Sequence, residues 1–301
     1  MNAADIIARA KREQNALIAA HTYQSPAVQK QADILGDSFA LAQKAADSHA
    51  DVVYLCGVRF MAEGIKILAP EKRVVLVEPE ADCPMARQID PQRVADFRAA
   101  HPDAAVVAYI NTTAELKAVA DVCVTSSSAV RIVRALPQRE VLFIPDRNLG
   151  AYVAAQVPEK SIVTWDGYCP VHAPITAADV RAARAAHPGA LVAIHPECPA
   201  EAVALADMVG STAAIIEFIR STEREVIVAT ERGVVDRLQE DFPGRLHQLR
   251  SDLLVCPDMK RTTLDSLAAA MTGEGGEEIA MDAAVMDAAR ASLTAMLRLG
   301  R

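Results

Sequence analysis

An α/β fold of three related units with parallel sheets is predicted by three observations. Short apolar runs alternate with helical stretches, polar positions recur 86–88 residues apart, and Cys-Pro dipeptides recur in the same register. The 301 residues exceed one ordinary domain, which holds about 100–200. The composition, 51% hydrophobic and 23% charged, supports packed cores and excludes a disordered chain. With aromatics at 4%, Ala, Val, Ile and Leu must fill those cores. The formal charge of −8 disfavours nucleic-acid and anionic membrane surfaces but leaves room for a small basic pocket. Six cysteines are too few for a secreted disulfide scaffold. No apolar run approaches the ~18–20 residues of a membrane helix, and the expectation is a soluble, cytoplasmic protein.

The elements follow in order. The opening MNAADIIARAKREQNALIAA reads as an amphipathic helix rather than a signal peptide. Buried strands are expected at LIAA (17–20), VVYLCG (52–57), VVLVEP (74–79), VVAYI (106–110), VLFIP (141–145), ALVAIHP (190–196) and VIVAT (226–230). Helices are expected at SFALAQKAADSH (38–49), SSAVRIVRAL (127–136) and STAAIIEFIRS (211–221). GEGGEE (273–278) reads as a loop, with Glu277 and Glu278 opening the next helix, and the Ala- and Met-rich helix to Leu299 covers an exposed face of one unit. The division is 1–87, packed with the C-terminal helices of 258–301, then 88–173 and 174–257.

The repeat carries chemistry as well as hydropathy. His21-Thr22-Tyr23, Tyr109-Ile110-Asn111 and His195-Pro196-Glu197 each end the first strand of a unit. Asp33, Asp121 and Asp207 each follow Ala and open a further apolar run, and five residues on stand Ser38, Ser126 and Thr212. Cys83, Cys169 and Cys256 follow those hydroxyls by 45, 43 and 44 residues, and each precedes Pro. Chance gives roughly 0.3 Cys-Pro pairs in such a composition. Cys198 also precedes Pro but falls outside the register.

All three polar classes lie just after strands, where parallel α/β sheets gather ligands. Facing one another about a pseudo-threefold axis, they would converge on one cavity. Ser38, Ser126 and Thr212 open helical patterns, so they either cap helices or greet an anion at the helix ends, and the two uses are compatible. A small anionic substrate fits. The three cysteines share no local C-x2-C loop, which disfavours a zinc ribbon. They are ligands for zinc, ligands for three irons of a [4Fe–4S] cluster, or small buried residues. A cluster with three ligands leaves one iron open as a Lewis acid. Cys56 and Cys123 read as core, and Cys198 as core or as a thiol bordering the site. His21, Tyr23, Tyr109, His195 and Glu197 are acid–base candidates, with Glu and Tyr tunable towards neutrality by burial. His172 is a candidate through its proximity to Cys169. His49, His101, His187 and His247 read as solvated surface, and Lys260-Arg261 stays open as surface or site. Neither G-x-G-x-x-G after a strand nor G-x-x-x-x-G-K-[ST] is present.

HTYQSPAVQ with ADILGDS (21–38), CGVRFMAEGIKIL (56–68), PDRNLG (145–150), GYCPVH (167–172), HPEC (195–198), GST (210–212), ATERG (229–233) and CPDMK (256–260) together resemble the quinolinate synthase family over nearly the whole chain. Gly64 departs from the family's usual Thr. The resemblance implies three homologous three-layer α/β/α domains about a pseudo-threefold axis, with the active site at their junction. It implies a [4Fe–4S] cluster on Cys83, Cys169 and Cys256 and condensation of iminosuccinate, supplied by L-aspartate oxidase, with dihydroxyacetone phosphate. His21, Ser38, Tyr109, Asn111, Ser126, His172, His195, Glu197 and Thr212 would then hold substrate, His172 lying beside the cluster. Tyr23, His195 and Glu197 would move protons.

Overall fold

The computed structural model describes residues 2–300. Three consecutive stretches repeat the same order of elements. The first holds α1 (Ala3–Glu13), β1 (Ala16–His21), α2 (Pro26–Gln29), β2 (Ile34–Gly36), α3 (Ser38–Asp47), β3 (Val52–Cys56), α4 (Arg59–Leu68) and β4 (Arg73–Leu76). The second holds α5 (Pro91–Ala100), β5 (Ala105–Tyr109), α6 (Ala114–Ala118), β6 (Val122–Val124), α7 (Ala129–Ala135), β7 (Glu140–Ile144), α8 (Arg147–Gln156) and β8 (Ser161–Thr164). The third holds α9 (Ala177–Ala186), β9 (Leu191–Ile194), α10 (Ala200–Val203), β10 (Met208–Val209), α11 (Thr212–Ser221), β11 (Val226–Ala229), α12 (Gly233–Leu238) and β12 (Leu246–Gln248). The chain closes with α13 (Leu264–Thr272), β13 (Glu277–Glu278) and α14 (Ala283–Leu299).

In each unit the first strand lies between the second and third, and the fourth flanks the third, all parallel. The central strands are Val-, Ile- and Ala-rich and buried along their length, as strands covered on both faces by helices must be. Helix starts are set by side-chain caps: Asn2 accepts from Asp5 N–H, Asp90 from Arg93 N–H ahead of Pro91, and Thr176 with Asp179 forms a capping box.

The recurring Ala-Asp has a structural cause. Asp33, Asp121 and Asp207 accept from the N–H of Ile18, Val106 and Val192 at 2.9, 2.7 and 2.8 Å. Their own N–H groups return to the carbonyls of the same three residues. Lys11, Arg98 and Arg184, from the helix before each first strand, complete an ion pair with each carboxylate. This clamp joins helix, first strand and second strand, and fixes the register in which the first strand's carboxyl end is presented.

Two expectations are corrected at the C-terminus. Glu277 and Glu278 do not open a helix. They form β13, antiparallel to β4, where Arg59 and Arg73 neutralise them, and the helix N-cap is Asp282. The last helix also does more than cover one unit. It packs on α4 of the first unit and on α6, β6 and α7 of the second, while α13 packs on α1 and β3. Leu293 and Met296 are buried in that seam. Among the described residues, no helix is long and apolar enough to cross a membrane.

Candidate active site

The carboxyl ends of the three sheets meet around one cavity of about 110 Å³, several times the ~10–15 Å³ a single water needs. Every candidate residue lines it: His21, Tyr23, Ser38, Cys83, Tyr109, Asn111, Ser126, Cys169, His172, His195, Glu197, Thr212 and Cys256. The sequence register thus becomes spatial convergence, with each unit contributing one member of each class.

The hydroxyls are not N-caps. Asp37 and Ser211 cap α3 and α11, so Ser38 and Thr212 take the first helical position with their side chains free. Ser126 lies in a turn knotted by Thr125 and Ser128, and α7 begins later, at Ala129. Released from capping, Thr212 bonds the Tyr23 hydroxyl at 2.8 Å and Ser126 lies 3.2 Å from His195 Nε2.

The polar groups form a continuous chain across unit boundaries. Tyr23 Oη also bonds Thr230 Oγ1 at 2.9 Å, Thr230 Oγ1 bonds His172 Nε2 at 3.1 Å, and His172 Nδ1 lies 2.8 Å from Glu197 Oε2. Tyr109 lines the same cavity as this carboxylate. Burial opposes ionisation of Glu197, but His195 and His172, with Tyr109 beside them, hold its carboxyl below the ordinary range. Burial lowers the imidazole of His195 to about 4 and that of His21 to about 3, where Lys260 adds to the effect. Each of these rings accepts a backbone N–H at Nδ1, from Glu197 and Tyr23, which leaves the proton of the neutral ring on Nε2. Tyr23 and Tyr109 are pushed well above the usual phenol value by burial and by Glu197. The expected tuning towards neutrality is therefore corrected: the tyrosines remain protonated donors, and Glu197 is the ionised acceptor.

The cysteine loops share a design. After each cysteine and its proline the chain turns back on the cysteine's own carbonyl: Ala86 N–H bonds Cys83 O at 2.9 Å, Ala173 N–H bonds Cys169 O at 2.9 Å and Lys260 N–H bonds Cys256 O at 3.2 Å. Each cysteine's own N–H is held by a carboxylate, Asp82, Asp146 or Glu231. All three thiols are free of disulfides, and burial pushes Cys83 and Cys256 up to about 12 and about 11 and Cys169 well above the usual thiol value. Half-buried free thiols, one from each unit and all lining one cavity, fit a cationic metal centre, which would take them as thiolates. Cys169, His172 and Glu197 also bring potential ligand atoms within 4.8 Å of one another. Cys56, Cys123 and Cys198 are buried in apolar clusters and are not among the residues lining the cavity.

Sequence reasoning missed three supporting residues, Asp146, Glu231 and Thr230, and left a fourth, Lys260, open between surface and site. Asp146 and Glu231 occupy equivalent positions after the third strands of units two and three, a register match that was available in the sequence. Lys260 pairs with Glu231 at 2.9 Å and donates to the Tyr23 carbonyl, and Thr230 links Tyr23 to His172. A Cβ on Gly233 would meet Tyr23 Cα at 2.8 Å and Thr22 O at 2.9 Å, so only glycine admits this approach of the first unit to the third.

The family model described as Quinolinate synthetase A protein matches residues 5–298. The quinolinate synthase of Alkaliphilus metalliredigens is 44% identical over 299 residues, covering 99% of this chain and 98% of that protein. That of Clostridioides difficile is 42% identical over 96% of this chain and 95% of its own, and that of Aquifex aeolicus 41% identical over 97% and 92%. With matches spanning all three units and the cavity between them, the chain belongs to the quinolinate synthetase A family.

Proposed function

We propose that this protein is a quinolinate synthase, a condensing transferase of NAD biosynthesis. It joins iminosuccinate to dihydroxyacetone phosphate, giving quinolinate, phosphate and two waters. The observation that carries the reading is the meeting of three equivalent cysteines with the His, Tyr, Glu and hydroxyl groups in one cavity. Cys83, Cys169 and Cys256 would hold a [4Fe–4S] cluster. When bound, such a cluster supplies one iron without a protein ligand, a Lewis acid for a substrate hydroxyl or carbonyl. The reading places the enzyme in the cytoplasm, with L-aspartate oxidase as the source of the imine through transient contact.

The chain's own residues divide the remaining work. Both substrates are small anions, and α3 and α11 point their N-termini at the cavity. Asp37 already sets a carboxylate at the α3 end, whereas neutral Ser211 leaves the α11 dipole uncompensated. The phosphate or a carboxylate is therefore better held beside Thr212 than beside Ser38. Ser126 and neutral His195 offer donors to a second polar group, with His21, Tyr109 and Asn111 completing the wall. Glu197, ionised and flanked by imidazoles, takes a proton from the condensing carbon or nitrogen. Tyr23, protonated and linked to Glu197 through Thr230 and His172, returns one to a departing oxygen.

Anaerobic incubation of the protein with both substrates tests the proposal. Stoichiometric quinolinate and phosphate are expected; dehydration of either substrate alone, with no pyridine ring formed, would identify a different hydro-lyase.

A further inference from the structure

The second and third units match closely enough to serve as controls for each other, and one corner differs. His101 and His187 end α5 and α9, each donating its N–H to the residue four back, Phe97 or Ala183, at 2.9 Å. Each also accepts from the third residue on, Ala104 or Ala190, at 3.1 Å. Glu140 and Glu225 are equivalent as well, because Val141 and Val226 pair with the first residues of β5 and β9. In the second unit the corner holds one histidine and one carboxylate: His101 Nδ1 lies 2.9 Å from Glu140 and its ring stacks on Phe97. The neighbouring strand contributes Val163, 40% exposed.

In the third unit the strand register puts His247 where Val163 stands. His247 Nε2 lies 2.7 Å from Glu225 Oε2, and its ring stacks on His187 with centroids 3.6 Å apart. Potential ligand atoms of His187, Glu225 and His247 all fall within 4.8 Å of one another. These histidines are thus not isolated surface residues, which corrects the expectation. They lie at the amino ends of the strands, across the sheet from the cavity.

We propose that His187, Glu225 and His247 bind a divalent transition-metal ion, with zinc the best match. Two imidazoles and one carboxylate suit zinc, cobalt, nickel or copper, whereas magnesium and calcium require mostly oxygen ligands. Ligand atoms on a tetrahedral zinc sit roughly 3.4 Å apart. The separations, all below 4.8 Å, are close to that span, and binding would turn the stacked rings apart so that both nitrogens face one ion. The bound ion would tie the end of α9 to β11 and β12, stabilising the folded third unit by binding it alone. The site is independent of the activity proposed above.

The test is titration of the anaerobically purified protein with Co²⁺ and Zn²⁺. One equivalent of Co²⁺ should bind with a visible spectrum lacking thiolate charge-transfer bands, which separates this site from the cavity cysteines. His247→Val, which installs the second unit's residue, and Glu225→Gln should each weaken binding by about 10–100-fold or more. Zn²⁺ should raise the thermal midpoint of the native protein but not of His247→Val. Equal affinity in the native protein and both variants, or Co²⁺ bound only through thiolates, would overturn the proposal.

Discussion

At the scale of single residues, the site is a set of buried groups whose protonation is fixed by their neighbours. His21 and His195 are held neutral, lowered to about 3 and about 4 chiefly by burial. The unfolded chain takes up those protons below about pH 6.5 while the folded one resists. The stability this supplies is whole above that pH and is lost as pH falls through 4 and then 3. His195→Gln should therefore show a shallower loss of the urea midpoint between pH 6.5 and 4; an unchanged slope would contradict the assignment. Tyr23→Phe keeps its ring and its packing but loses the proton and the bonds to Thr212 and Thr230. Metal content should be retained while turnover falls about 10²–10⁴-fold, and unchanged turnover would remove Tyr23 from the acid–base chain. Cys83, Cys169 and Cys256 were legible because Cys-Pro is rare and periodic. Thr230 was not, and Lys260 stayed undecided, because their importance arises from distances to residues roughly 200 positions away in the chain, which no local pattern encodes.

At the scale of elements, the Asp clamps set register and the helix starts set hydroxyls free. Asp207→Ala removes a charge-assisted hydrogen bond to Val192 N–H and leaves that strand donor unpaired. A loss of about 1.5–3 kcal/mol is expected in denaturant unfolding, and a change near zero would show that the clamp is ornamental. Gly64, buried in α4, has nothing within 4 Å of where a Cβ would stand. Gly64→Ala should raise stability by about 0.4–1 kcal/mol, read as a higher thermal midpoint; a lower one would mean that the helix cannot accept the methyl. Seven strands, β1, β3, β4, β5, β7, β9 and β11, and five helices, α1, α3, α7, α11 and α14, were legible from apolar runs and helical patterning. The starts of α3 and α11 were read to within one residue, but their caps are Asp37 and Ser211 rather than the periodic hydroxyls, and α7 begins two residues later than expected, because propensity does not choose among adjacent capping residues. Glu277 and Glu278 were misread for another reason. Their strand exists only because Arg59 and Arg73 from the first unit meet them there.

At the scale of the whole molecule, three units matter because the cavity belongs to none of them alone. The repeat was visible in the sequence as a period, and convergence was a consequence of parallel sheets presenting carboxyl ends together. What the period did not contain was the C-terminal brace. Helix α14 seats Leu293 between the first and second units, and Arg290 bonds Ile67 O while Ser292 bonds Lys117 O. Leu293→Ala should cost about 2–5 kcal/mol and loosen Cys83 relative to Cys169. The most direct test of the central claim is an iron and sulfide count on anaerobically purified protein, comparing the native chain with Cys169→Ser and Cys56→Ser. About four irons and four sulfides per chain are expected for the native protein and for Cys56→Ser, with loss in Cys169→Ser. Zinc without sulfide, or equal loss in both variants, would contradict a cluster held by one cysteine from each unit.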